Sequence, residues 1–147
     1  MKISENGIRL IKQLEGLRLK AYLCSSNIWT IGWGTTQING TKVKAEDQIN
    51  LEYADLLFKQ DLKKFENLVN SKIQIQITQN QFDALVSHSY NTGGSDTLFQ
   101  LINQHAERSK IKFWFENTYI MSKGKIIQGL VERRKKEANL FFLDDAR

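Results

Sequence analysis

LEGLRLKAYLCSSNIWTIGWGTT, residues 14–36, is where one periodicity gives way to another. Upstream, Ser4 reads as an N-cap with Glu5 in the first turn, and Ile8, Ile11 and Leu14 recur at helical spacing until Gly16 offers a C-terminal stop. Glu15 therefore falls in the last turn of a first helix. From 21 to 43 the signal becomes short β-branched and aromatic runs broken by turn formers at Ser25-Ser26-Asn27, Gly32, Gly34 and Asn39-Gly40. Asn-Gly between TTQI and TKV is a type I′ hairpin signal, because both turn residues of that hairpin need positive φ. The spacing predicts a small antiparallel sheet.

Beyond the sheet, 45–70 carries no Gly or Pro, and Ile49, Tyr53, Leu56, Leu57, Phe65 and Leu68 or Val69 form one apolar stripe, which predicts a long helix. IQIQI at 73–77 reads as a short connector. Thr78 with Gln81 forms a capping box that opens a helix with Phe82, Leu85, Val86 and Tyr90 inward, ended by Gly93-Gly94. Helices near 96–105, 108–120 and 130–143 follow, each with large apolar residues three or four apart. The fold class is thus α+β: a helix, a small sheet, a long helix and a helical bundle. With no proline, no repeat and no low-complexity linker, residues 1–147 read as a single domain. Function is expected where the two unlike parts face each other, since ligand sites favour such junctions.

Composition narrows the classes. The chain is 41% hydrophobic and 25% charged, too apolar for a disordered chain. Its one cysteine forms no intrachain disulfide, which fits a reducing compartment. Met1 is followed by KISENG with no basic-then-apolar leader, so neither a signal peptide nor a transmembrane segment is expected. A net charge of +5 favours polyanionic partners: nucleic acid, anionic lipid or a cell envelope rich in carboxylates and phosphates. No His/Cys cluster has metal-ligand spacing, so no metal or cofactor is expected.

Glu15, eight residues, Cys24, five residues and Thr30 set an acid at a helix end beside a polar pair in the adjoining sheet. Taken singly, each has an ordinary reading: a solvated carboxylate, a small core filler, a residue with strand propensity. The whole pattern changes that. LIKQLEGLRLKAYLCSSNIWTIGWGTT (10–36), TQNQFDALVSHSYNTGG (78–94) and GKIIQGLVERRKKEANLF (124–141) resemble, in order, the phage-type lysozymes, or endolysins, of glycoside hydrolase family 24. That family's motif is Glu, eight residues, Asp or Cys, five residues, Thr.

The resemblance implies a two-lobed lysozyme-like fold, a small antiparallel sheet lobe joined by a long helix to a helical lobe. It implies hydrolysis of the β-1,4 bond between N-acetylmuramic acid and N-acetylglucosamine in peptidoglycan, with Glu15, Cys24 and Thr30 as candidate catalytic residues. It places an arginine of the last helix near the acid, Arg133 first and Arg134 next, against the alternative of a solvated basic face in VERRKKE. Gly32 and Gly34 let a sugar chain approach the backbone closely, or serve turn geometry alone. The implied partners are glycan strands and a holin-type pore that releases a monomeric enzyme from the host cytoplasm, with no nucleic acid and no membrane insertion.

Glycoside hydrolysis needs a protonated acid on the leaving oxygen and stabilisation of an oxocarbenium-like transition state. An ordinary glutamic acid, with pKa about 4.3, is mostly ionised at neutral pH, so the role calls for apolar surroundings. Cys24 stands where many relatives have aspartate. A free thiol is mostly protonated at pH 7 and a poor ready-made base, which favours water positioning with Thr30 over thiolate or covalent roles. Thr35 stands in GWGTT where relatives often show His. His88 and His105 read as structural, Trp114 as core, and Trp29 and Trp33 as core or sugar-stacking residues. Two other classes compete: an inactive peptidoglycan-binding protein on the same fold, and a nucleic-acid module suggested only by the charge.

Overall fold

Helix α1, Glu5–Glu15, starts where Ser4 caps it, its Oγ accepting from Gly7 N at 3.2 Å, and ends at Gly16 with φ +71°. In the computed structural model, which describes residues 1–146, it leads into β1 (Arg18–Leu23), β2 (Trp29–Gly32), β3 (Gln37–Ile38) and β4 (Thr41–Lys42). Then come α2 (Leu51–Lys72), α3 (Gln79–Thr92), α4 (Asp96–Asn103), α5 (Arg108–Asn117), β5 (Met121–Ser122), β6 (Lys125–Ile126), α6 (Gln128–Phe141) and a 3₁₀ turn at Leu143–Ala146. The class is α+β, as expected. Two compact units divide the chain: Arg9–Lys64, which holds β1–β4, and Met1–Ile8 with the chain from Phe65 onward, which holds α3–α6. Both α1 and α2 run through the division. No described helix is long and apolar enough to cross a membrane.

Within Arg9–Lys64, β1 and β2 pair antiparallel, Tyr22 opposite Thr30 and Leu23 opposite Trp29, with a bulge between Arg18 and Tyr22. β3 and β4 form the expected hairpin, Asn39 and Gly40 taking φ +51° and +78° as a type I′ turn requires. The long helix starts later than its stripe implies. Residues 47–50 lie extended along β1, with Ala21 N bonded to Asp47 O and Ile49 N to Leu19 O, and Asn50 Oδ1 then accepts from Tyr53 N at 2.8 Å. Ile49 thus belongs to the sheet edge. An alternating apolar residue just before a helix mimics the helical stripe, and only long-range pairing separates the two. Ile11, Ile31, Val43, Ala54, Leu57, Phe58 and Leu62 fill this core.

In the other unit, α3 opens on the expected capping box: Thr78 accepts from Gln81 N while Gln81 Oε1 accepts from Thr78 N, and Gly93 closes the helix at φ +86°. Residues 73–77 form neither helix nor strand. α5 stops at Asn117 instead of 120, because Thr118 is extended and Tyr119 adopts φ +55°. The β5–β6 hairpin after it, turning at Lys123 and Gly124 with positive φ, has strands too short to leave an alternation signal.

α6 carries the largest surprise. Arg134 and Glu137 are 0% exposed and Arg133 5%, so the solvated basic face is overturned. Glu137 Oε2 accepts from Ser87 Oγ at 2.6 Å and Arg133 Nε at 3.1 Å, and Glu137 Oε1 lies 3.0 Å from Arg134 Nε. Arg133 Nη2 donates to the Ser87 carbonyl at 3.0 Å and Arg134 Nη2 to Asn91 Oδ1 at 2.6 Å. Glu137 thus pairs with both buried guanidiniums, between α3 and α6. Glu137→Gln is expected to cost about 3 kcal/mol in urea unfolding, since removing one member of a buried ion pair leaves buried charge with less compensation. A loss below about 1 kcal/mol would show that the arginines carry their own compensation.

Candidate active site

Glu15, Cys24 and Thr30 all lie in the unit Arg9–Lys64. Glu15 is half-buried at the end of α1, where Gly16 lets the chain turn off the helix. Its carboxylate rests against the backbone of Gly34, where a Cβ would stand 2.6 Å from Oε1 and 3.0 Å from Cδ. Gly34 also takes φ +93°, so a bare backbone is needed there twice over. Gly34 sits in a tight loop closed by two bonds of 2.8 Å, Ile31 N to Thr35 O and Thr35 N to Ile31 O. That loop holds the backbone against the carboxylate.

Cys24 and Thr30 meet through one carbonyl. Cys24 N donates to Ile28 O at 3.0 Å, Asn27 N returns to Cys24 O at 3.0 Å, and Asn27 takes φ +60°, closing the turn. Thr30, 5% exposed, donates its hydroxyl to the same Ile28 O at 2.9 Å. The Thr30 proton is therefore spent on the turn, and its oxygen offers lone pairs only. Cys24 is a free, half-buried thiol.

Tyr22 joins this group although nothing in its local sequence marks it. It lies directly opposite Thr30 in the β1–β2 ladder, with the Arg18 guanidinium 4.6 Å from its ring centroid. Burial, then the charges of Glu15 and Cys24, push its phenol above the usual range, with Arg18 opposing. Only the folded register brings Tyr22 to these groups.

The remaining expectations divide. Gly32 is buried at φ +64°, and the space its Cβ would enter faces Ala54 and Ile49 at 3.5 Å, so turn geometry accounts for it. Arg133 lies in the other unit, its Nε and Nη2 donating to Glu137 and Ser87. Thr35, 1% exposed, donates to Asp61 at 2.8 Å, and burial raises the Asp61 pKa against the opposing pull of that bond and of Lys64. Trp33 donates its indole N–H to Asp55 at 2.9 Å, tilts against Phe58 and lies under Lys12, which makes it a core residue. Trp114 is also packed, its N–H on Ser95 Oγ. Among the described residues, no three His, Cys, Asp or Glu side chains are grouped to hold a metal. The arrangement offers one carboxyl group held in place and, on the adjoining hairpin, a thiol, a hydroxyl oxygen and a phenol able to order a water molecule.

A model of the phage lysozyme family matches residues 12–137. The chain is 35% identical to the endolysin of Acyrthosiphon pisum secondary endosymbiont phage 1, an alignment covering 96% of this chain and 98% of that one. To the Bacillus phage B103 endolysin it is 38% identical over its whole length, yet it spans only 56% of that longer protein. Among solved structures, the endolysin from Escherichia coli O157:H7 phage FAHEc1 superposes with a TM-score of 0.81 at 36% identity, covering 96% of this chain and 93% of that one.

Proposed function

The chain belongs to the phage lysozyme family, and on that premise we propose that it is a muramidase, hydrolysing the β-1,4 bond between N-acetylmuramic acid and N-acetylglucosamine in peptidoglycan. The observation that carries the reading is the carboxylate of Glu15 held against the glycine backbone at Gly34. Glu15 is the acid that protonates the glycosidic oxygen as the bond to the sugar carbon breaks. Water, oriented by the lone pairs of Thr30 and by Cys24, then attacks that carbon; as the new C–O bond forms, one water O–H bond breaks, its proton passes to solvent, and the Glu15 carboxylate takes up a proton to restore the acid. Cys24 serves as a positioning group for that water and not as the nucleophile. The same reading has a monomer reach the wall from the host cytoplasm through a holin-type pore, and the +5 charge draws it to an anionic wall.

Mass spectrometry of digested peptidoglycan tests this. Reducing-end muramic acid is the expected product. Reducing-end glucosamine, or no glycan cleavage by folded protein, overturns the muramidase reading, and the second result leaves a wall-binding protein.

Gly34→Ala probes how the acid is held. A Cβ at 2.6 Å from Oε1 displaces the flexible carboxylate more readily than the backbone. Activity should therefore fall by at least ~10-fold, since small misplacements of reacting groups are costly, while stability falls by only about 1 kcal/mol from the positive φ. Equal activity in a folded Gly34→Ala protein would show that the contact does not set the position of the acid.

A further inference from the structure

Thr30 and Cys24 offer an attacking water no strong donor. Thr30 has given its only proton to Ile28 O and can only accept, and the Cys24 thiol is weak both as donor and as acceptor. Such a water has its hydrogens held, but nothing fixes the lone pair that does not attack. Tyr22 carries a donor on the neighbouring strand. It faces Thr30 directly across the ladder, which puts both side chains on one face of the sheet. Cys24, two residues on, extends that ladder by one step through its bond to Ile28.

The phenol is also held and unspent. The Arg18 guanidinium packs on the ring at 4.6 Å, and the bulge between Arg18 and Tyr22 re-aims this part of the strand. Among the described residues, no protein group takes up its hydroxyl in a hydrogen bond. Burial and then the neighbouring Glu15 charge keep the proton on the phenol well into the alkaline range, so it remains a donor at working pH.

We propose that Tyr22 is a positioning residue for the hydrolytic step, its phenol O–H donating to the attacking water while Thr30 and Cys24 accept that water's hydrogens. The assignment rests on the muramidase reading.

The test compares wild type with Tyr22→Phe on peptidoglycan, measuring kcat and KM, with the folded fraction of each protein taken from urea unfolding. For Tyr22→Phe we expect kcat per folded protein to fall ~10-fold at unchanged KM, as loss of one orienting contact implies. A kcat per folded protein within about twofold of wild type, or a loss carried by KM, overturns the proposal while leaving the muramidase reading standing. A wild type that cleaves no glycan overturns both.

Discussion

Glu15→Gln is expected to lower peptidoglycan cleavage by at least ~10²-fold, because general-acid catalysis contributes ~10²- to 10⁴-fold and an amide cannot deliver a proton to the leaving oxygen. The substitution is nearly isosteric, and the side chain lies against the bare backbone of Gly34, so an amide occupies the same space. Thermal unfolding should stay close to wild type. The loss should appear in kcat, because shape and contacts with bound glycan are kept while the transferable proton is removed. Release of reducing ends, followed at several substrate concentrations, is the measurement. Activity within tenfold of wild type would remove Glu15 from the proton-transfer step and return the carboxylate to an ordinary helix-end role.

Stability should fall steeply in mild acid, and His88 should be a principal cause. The imidazole is 1% exposed, edge-on to Phe115 and Tyr119 with ring centroids 5.4 and 5.5 Å away. Burial, then Arg134, then Arg133 hold its pKa down to about 3, against 6.5 for a free histidine. Between those values the unfolded chain binds a proton that the folded chain refuses, so stability present above pH 6.5 is lost as pH falls toward 3. The slope is about 1.4 kcal/mol per pH unit, and the loss over the whole window is on the order of 5 kcal/mol. His88→Phe keeps the edge-on ring contacts and removes the proton site. Urea unfolding at pH values between 7 and 4 should give a flatter stability profile for that variant. Parallel profiles would assign the acid sensitivity to other groups.

The two predictions draw on different levels of legibility. Glu15 was readable because its place at a helix end depends on Ser4, Gly16 and the apolar spacing between them, all within a few turns of chain. The hairpin at Asn39-Gly40 and the capping box at Thr78 and Gln81 were readable for the same reason, since each is closed by residues two or three apart. Where local signals were imitated, the reading slipped. Ile49 fits a helical stripe, yet its backbone pairs with Leu19, and the β5–β6 hairpin is too brief to alternate visibly. His88 could be read as structural, but not as held neutral by burial and by two arginines, because Arg133 and Arg134 lie more than forty residues away in sequence.

By itself, then, the sequence determined the α+β order of elements, the spacing of Glu15, Cys24 and Thr30, and the family these imply. Only the tertiary structure decided that Gly34 bears on the acid, that Thr30 spends its proton on Ile28, that Tyr22 faces Thr30, and that Arg133, Arg134 and Glu137 are buried together. The physical reason is range. Caps, turns and helical stripes are settled by neighbours along the chain, whereas burial, ladder register and charge compensation depend on which distant segments arrive on the other side. A basic run such as VERRKKE reads as solvent-facing until a helix with Ser87 and Asn91 covers it and both arginines pair with Glu137.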